Sequence, residues 1–253
     1  MIEKKDISVI VQGPIDDRTY ETIDCYKDFG EVIISTWVGE DLSLLEKAKS
    51  NKYTVCQTEY VQNFENFIND GSCYFIAQTL NSGSAIAKKD YIIKTRSDEL
   101  YPDLRSFISN INLYPDRLHT TDNGFWRELP FCLSNHLFYE SKSNIINATD
   151  QIIEYCKQPL GRRLYVGVCE QVFGYFFMLS RGIQINTNTW KDAFRNNIFI
   201  TKCAELKGHL HSGQTSHDRG FKRSSDPYPK GRMEREDETH DFRKLYQHID
   251  QIT

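Results

Sequence analysis

The sequence predicts an α/β protein built on one mainly parallel, Rossmann-type sheet flanked by helices, with an irregular C-terminal extension. Three observations carry this. Short runs rich in β-branched and apolar residues, at Ile7–Val11, Glu31–Trp37, Tyr53–Cys56 and Tyr91–Lys94, recur through the first hundred residues. Helix-compatible segments separate them, and alternation of this kind builds a parallel sheet with helices on its faces. From about Gly208 the chain turns to Gly, Pro, Ser and charge, and no apolar period survives.

Each element has its own signal. The first strand, Ile7–Val11, ends at Gln12-Gly13-Pro14, and a polar, helix-compatible stretch runs from Asp16 to Asp28 before Gly30 breaks it. Glu31–Trp37 is the second strand, Leu42–Ser50 a short helix and Tyr53–Cys56 the third strand. From Phe64 to Ala87, residues Phe67, Phe75, Ile76, Leu80 and Ile86 are spaced for one helical face, with Gly71 and Gly83 expected to weaken or interrupt the helix. Tyr91–Lys94 is the fourth strand. Beyond residue 100, Leu118–Thr121 and Leu133–Tyr139 are read as strands, Ser143–Lys157 and Glu170–Leu179 as helices, and Asp241–Ile249 as a short final helix. No repeat or linker divides the 253 residues, so residues 1–253 are expected to form a single domain.

Composition narrows the class. Hydrophobic residues make up 39% and charged residues 26%, which suits a globular chain and excludes a disordered one. A net charge of −4 speaks against nonspecific binding to nucleic acid. The seven cysteines are odd in number and widely spaced, without C-x-x-C, so neither a zinc ribbon nor a disulfide framework is expected; buried thiols in a reducing compartment are. No signal peptide and no transmembrane segment is seen, and the expected location is cytoplasmic.

Parallel sheets bind ligands beyond the carboxyl ends of their strands. Three polar strand ends would converge there: Gln12-Gly13-Pro14, Thr36-Trp37, and Lys94 to Glu99. Gly13 permits close backbone approach, and Gln12 offers a donor and an acceptor. Trp37 is a candidate for stacking on a base or a core residue. If extension persists past residue 94, Lys94, Arg96 and Asp98 share one face, and cations beside a metal-holding acid suit an anionic ligand. The same residues also fit a solvated turn with an internal ion pair, in which Asp98 is bound by Lys94 or Arg96, and spacing does not choose between the two. Glu170, opening the aromatic stretch EQVFGYFF, is a candidate base or a charge complementing a helix dipole. His209, His211 and His217 do not match a zinc pattern, and His211 is singled out as a residue that could close over a metal. Neither G-x-G-x-x-G, a P-loop nor G-x-S-x-G marks these sites.

Taken together, ISVIVQGPI at residues 7–15, VIISTW at 32–37 and YIIKTRSDE at 91–99 resemble the WavE-type lipopolysaccharide synthesis proteins, with a weaker continuation through CEQVFGYFF at 169–177. The resemblance implies a GT-A-like fold and a glycosyltransferase that moves a sugar from a nucleotide-sugar donor to a glycan or lipid-linked glycan acceptor, with peripheral membrane contact. It divides the chain into a nucleotide-binding half (1–100), an acceptor half (101–207) and a polar tail or lid (208–253). It places donor binding at Gln12, Gly13, Pro14, Thr36, Trp37, Lys94, Arg96 and Asp98. It also implies Mn²⁺ or Mg²⁺ at Asp98 and Glu170 as the base of an inverting reaction; His211, singled out from its place in the polar tail, is the further candidate ligand. The acidic motif departs from Asp-x-Asp: Arg96 stands where the first acid is usual, and it could neutralise phosphate charge itself. Two other readings compete. A sugar nucleotidyltransferase would carry a Gly-rich basic loop after the first strand, which Gln12–Asp16 lacks. A non-catalytic nucleotide-sugar-binding module would bind without turnover.

Overall fold

The computed structural model describes residues 1–59, 71–122, 131–158, 169–185, 189–207 and 209–210. Its centre is a seven-stranded sheet of β1 (Ile7–Gln12), β2 (Glu31–Trp37), β3 (Thr54–Thr58), β4 (Tyr91–Arg96), β6 (Leu118–Thr121), β7 (Phe138–Ser141) and β8 (Ile198–Thr201), in the order β3-β2-β1-β4-β7-β6-β8. β7 alone runs against the rest. A two-stranded ribbon pairs β5 (Glu99–Leu100) with β9 (His209–Leu210).

Strand parity explains the layers. Every residue of β1 is buried, as expected of a parallel strand covered on both faces. Ile10, Ile33 and Ile92 enter one core, with α3 (Gly71–Ile86), α5 (Lys142–Lys157), α6 (Cys169–Ser180) and α7 (Trp190–Asn197). Val9, Val11, Val32, Ile34 and Ile93 enter the other, against Ile23 of α1 (Thr19–Asp24), Ala48 of α2 (Leu42–Ser50) and Phe107 and Ile111 of α4 (Arg105–Leu113). Local chemistry sets the helix starts. Asp41 accepts from Ser43 N at 2.8 Å to cap α2, and Ser141 accepts from Asn144 N at 3.3 Å to cap α5.

Several elements differ from the sequence expectation. Only Thr19–Asp24 of the Asp16–Asp28 stretch is α-helical. Gly83 does not interrupt α3; it lets the helix lie on the sheet, since a Cβ there would stand 3.1 Å from Ser35 Cβ and 3.2 Å from Ile10 Cγ2. Gly71 begins the described part of α3, and Phe64 and Phe67 lie outside the described residues. The strand expected at Leu133–Tyr139 is shifted to Phe138–Ser141, because residues 131–137 pack against α6 and the end of β4 before pairing begins. The final helix at Asp241–Ile249 lies outside the described residues. Among the described residues no helix is long and apolar enough to cross a membrane.

Candidate functional site

The carboxyl ends of β1, β2 and β4 meet at one rim. Gln12, the last residue of β1, lies between Ser35 of β2 and Arg96 of β4 in register. Just beyond, the two outer exits are tied to the first. Gly13 N donates to Ser35 O at 3.1 Å, Ser97 N donates to Gln12 O at 2.8 Å, and Ser97 Oγ donates to Pro14 O at 2.6 Å. Gly13 has φ +128°, and a Cβ at that position would lie 2.7 Å from Ser97 Oγ. A left-handed backbone and this close approach both require glycine.

Parity decides which rim side chains face outward. Gln12 shares the face of Ile10, and its Nε2 donates to Ile76 O at 2.6 Å and to Thr79 Oγ1. The amide thus anchors α3 from beneath the rim. Thr36, on the opposite face, is enclosed, and its Oγ1 has no hydrogen-bond partner among the described residues. Trp37 is half-buried, with its ring edge-on to Phe75 at 5.3 Å, and the next residue, Val38, is exposed.

The segment after β4 carries the charge. Lys94 is only 1% exposed; its Nζ donates to Asn135 O and lies 5.9 Å from the centre of the Phe138 ring. Burial pushes its pKa down to about 8, with Glu99 pulling the other way. Extension does not persist past Arg96: the chain turns at residues 97–98 and Asp98 folds back. Arg96 Nε and Nη2 donate to Asp98 Oδ1 and Oδ2 at 2.8 and 2.6 Å, a bidentate fork. The internal pair, one of the two arrangements open at the level of sequence, is formed. Both side chains are about one-third exposed, at 31% and 36%.

The sequence placed Glu99 at the polar end of the fourth strand without giving it a role of its own, and nothing in it singled out His136. Glu99 is fully enclosed, with Oε1 bonded to His136 Nδ1 and 3.3 Å from Arg96 Nε, and Oε2 accepting from Tyr101 Oη at 2.9 Å. Burial works to raise the carboxyl pKa, but the His136 imidazole and the Arg96 guanidinium outweigh it and hold the group below its ordinary value. His136 has no local motif around it. Its signal is the antiparallel pairing of Lys94 with Phe138, which carries a residue two positions before β7 to the end of β4.

The segment leading into β7 links this cluster to α6. Leu133 N donates to Glu170 O at 2.9 Å, and Asn135 Nδ2 bonds Cys169 Sγ at 3.5 Å, while Asn135 O holds Lys94. Glu170 is half-buried in the first turn of α6, and its carboxylate has no hydrogen-bond or ion-pair partner among the described residues.

The described residues do not fit a divalent cation. Each Asp98 oxygen faces a donor of Arg96, and the Glu99 oxygens are taken up inside the core. Among the described residues no group of three His, Cys, Asp or Glu is arranged to hold a metal. His211 lies outside the described residues, although β9, immediately before it, pairs with Glu99 and Leu100.

No protein-family model matches the chain, and no curated protein is similar to it in sequence. Solved structures are similar to it in fold. The 4-diphosphocytidyl-2C-methyl-D-erythritol synthase of Anaerococcus prevotii matches with a TM-score of 0.50 at 9% identity, covering 88% of this chain and all of that one. Staphylococcus aureus TarS 1–349 matches at 0.45 and 15% identity over 69% of this chain, which spans 56% of that fragment; TarS 1–349 in complex with UDP-GlcNAc matches at 0.43 and 14% identity, covering 69% of this chain and 54% of that one. A cytidylyltransferase of Leptospira borgpetersenii matches at 0.42 and 16% identity, covering 78% of this chain and 76% of that one. The fold is therefore a mixed α/β, mostly parallel sheet shared with the Anaerococcus prevotii synthase.

Proposed function

We propose that the chain is a nucleotide-sugar-dependent glycosyltransferase acting on a glycan acceptor in surface polysaccharide or lipopolysaccharide synthesis. The observation that carries the reading is the convergence of the β1, β2 and β4 exits on one rim beside Arg96, the place where sheets of this kind hold nucleotides. The segments that resemble the WavE-type proteins are these same three exits.

In this reading the nucleoside lies along Gly13, Pro14 and Trp37, and the diphosphate meets Arg96. Gln12, Thr36 and Lys94 act from behind, through α3, the second core and the segment into β7. Asp98 orients the guanidinium fork. An acceptor hydroxyl attacks the anomeric carbon as the bond from that carbon to the diphosphate oxygen breaks. Glu170 takes the hydroxyl proton, and the electron pair leaves on the nucleoside diphosphate, whose growing charge Arg96 stabilises. Attack opposite the leaving group gives inversion. The described residues offer no seat for a divalent cation, and no step here uses one.

The test is a screen of UDP-, GDP- and CDP-sugars for donor hydrolysis and transfer, followed by Asp98→Ala and Glu170→Ala. Loss of turnover in both variants, with folding intact, is expected; unchanged rates in both would remove the assignment. Supplying nucleoside triphosphates and sugar phosphates and following pyrophosphate release separates the nucleotidyltransferase alternative.

A further inference from the structure

His136 enters the rim through long-range pairing. Lys94 opposes Phe138 in the last pair of an antiparallel ladder, and continuing that register two pairs further sets His136 across from Arg96. Its Nδ1 is bonded to the same Glu99 oxygen that faces Arg96 Nε. The Tyr101 hydroxyl holds the other oxygen at 2.9 Å. An enclosed carboxylate is costly unless it is paired and hydrogen-bonded. Here the pairing fixes an imidazole and a guanidinium side by side at the surface end of the cluster. His136 is 16% exposed, and its Nε2 has no partner among the described residues.

Resting on the donor-binding reading above, we propose that His136 is a further diphosphate-binding residue. Its Nε2 meets a phosphate oxygen beside Arg96, Glu99 is the positioning residue for both groups, and the pair holds the diphosphate without a divalent cation. The two ring nitrogens then serve two partners, Nδ1 toward Glu99 and Nε2 toward the phosphate. The acids that would otherwise carry a metal are engaged: Asp98 by the Arg96 fork, and Glu99 by His136, Arg96 and Tyr101. The competing role is a brace, in which Glu99, His136 and Tyr101 only stabilise the fold.

The experiment is calorimetric binding of pyrophosphate, UDP, GDP and CDP to the full chain, in EDTA and in Mn²⁺, for wild type and His136→Ala, with melting temperatures for both. At least one nucleotide should bind wild type in EDTA within about threefold of its affinity in Mn²⁺. His136→Ala should weaken that binding by about tenfold or more while the melting temperature stays close to wild type, and pyrophosphate should follow the same order. Binding that requires Mn²⁺, or His136→Ala binding as wild type does, overturns this inference and leaves the donor-binding reading standing. If no nucleotide binds wild type under either condition, the donor-binding reading fails and this inference fails with it. Should His136→Ala not fold, His136→Gln is measured instead, against the same two outcomes.

Discussion

Lys94 places a charge in the core, and its removal gives a prediction with a definite sign. The side chain is 1% exposed, and burial lowers its pKa from the ordinary 10.5 to about 8. Between those two values the unfolded chain carries a proton that the folded chain lacks. Unfolding then takes up a proton, so stability rises with pH across that window. Below about pH 8 both states are protonated and the full cost of the buried ammonium is present. At ~1.4 kcal/mol per pH unit, the depression corresponds to about 3 kcal/mol. Lys94→Met keeps an unbranched side chain and removes the charge, but leaves Asn135 O without its donor, at a cost of about 1–2 kcal/mol. The variant should therefore match wild type at pH 7 or exceed it by about 1 kcal/mol. The difference between the two should move by about 3 kcal/mol in favour of wild type between pH 8 and 10.5. Urea unfolding of both proteins at intervals from pH 7 to 10.5 reads this directly, and taking the difference cancels the titration of tyrosines and cysteines common to both. A difference that stays flat with pH, or a loss beyond about 3 kcal/mol in Lys94→Met at pH 7, refutes the reasoning.

Other substitutions test the frame around the site. Gly13→Ala forces a Cβ toward Ser97 Oγ at a φ of +128°, and should cost about 1–3 kcal/mol in chemical denaturation while loosening the link between the β1 and β4 exits. Gly174→Ala is the stronger perturbation: its Cβ would lie 1.7 Å from the Phe131 carbonyl oxygen, so α6 must shift, and a loss of about 3 kcal/mol is expected in the same assay. Glu170→Gln removes a carboxylate that no described residue uses, so transfer should fall by about 100-fold or more with an unchanged melting temperature; a melting shift with retained transfer would assign Glu170 to stability instead.

The legible parts of the sequence were those whose signal is local. β1, β2 and β4 are buried on both faces and read as apolar runs, and the helices of residues 142–157 and 169–180 follow from their apolar spacing. Gln12 was legible in position and not in direction. A polar residue at a strand end reads as ligand-facing, yet its parity with Ile10 sends the amide into α3. The turn at Ser97–Asp98 was one of two open readings, since no Gly or Pro marks it; the Arg96 fork and the Ser97 bonds to the β1 exit hold it. β7 was read as a strand with shifted bounds, but its direction in the sheet and the place of His136 were out of reach for a different reason. Their placement depends on a ladder between residues more than forty apart, and no local pattern encodes the reversal. The amphipathic helix α7, buried through Trp190 and Phe194, is too short to stand out from the polar residues around it.

The central claim is that an anionic nucleotide is held at the carboxyl rim of β1, β2 and β4. Hydrogen–deuterium exchange of the full chain, with and without the tightest-binding member of a panel of nucleoside diphosphates, locates that contact. Exchange should slow at Gly13, at Trp37–Val38, from Ser97 to Leu100 and across residues 133–137. Slowing confined to the opposite end of the sheet or to α4, or no slowing with any nucleotide, would contradict the account.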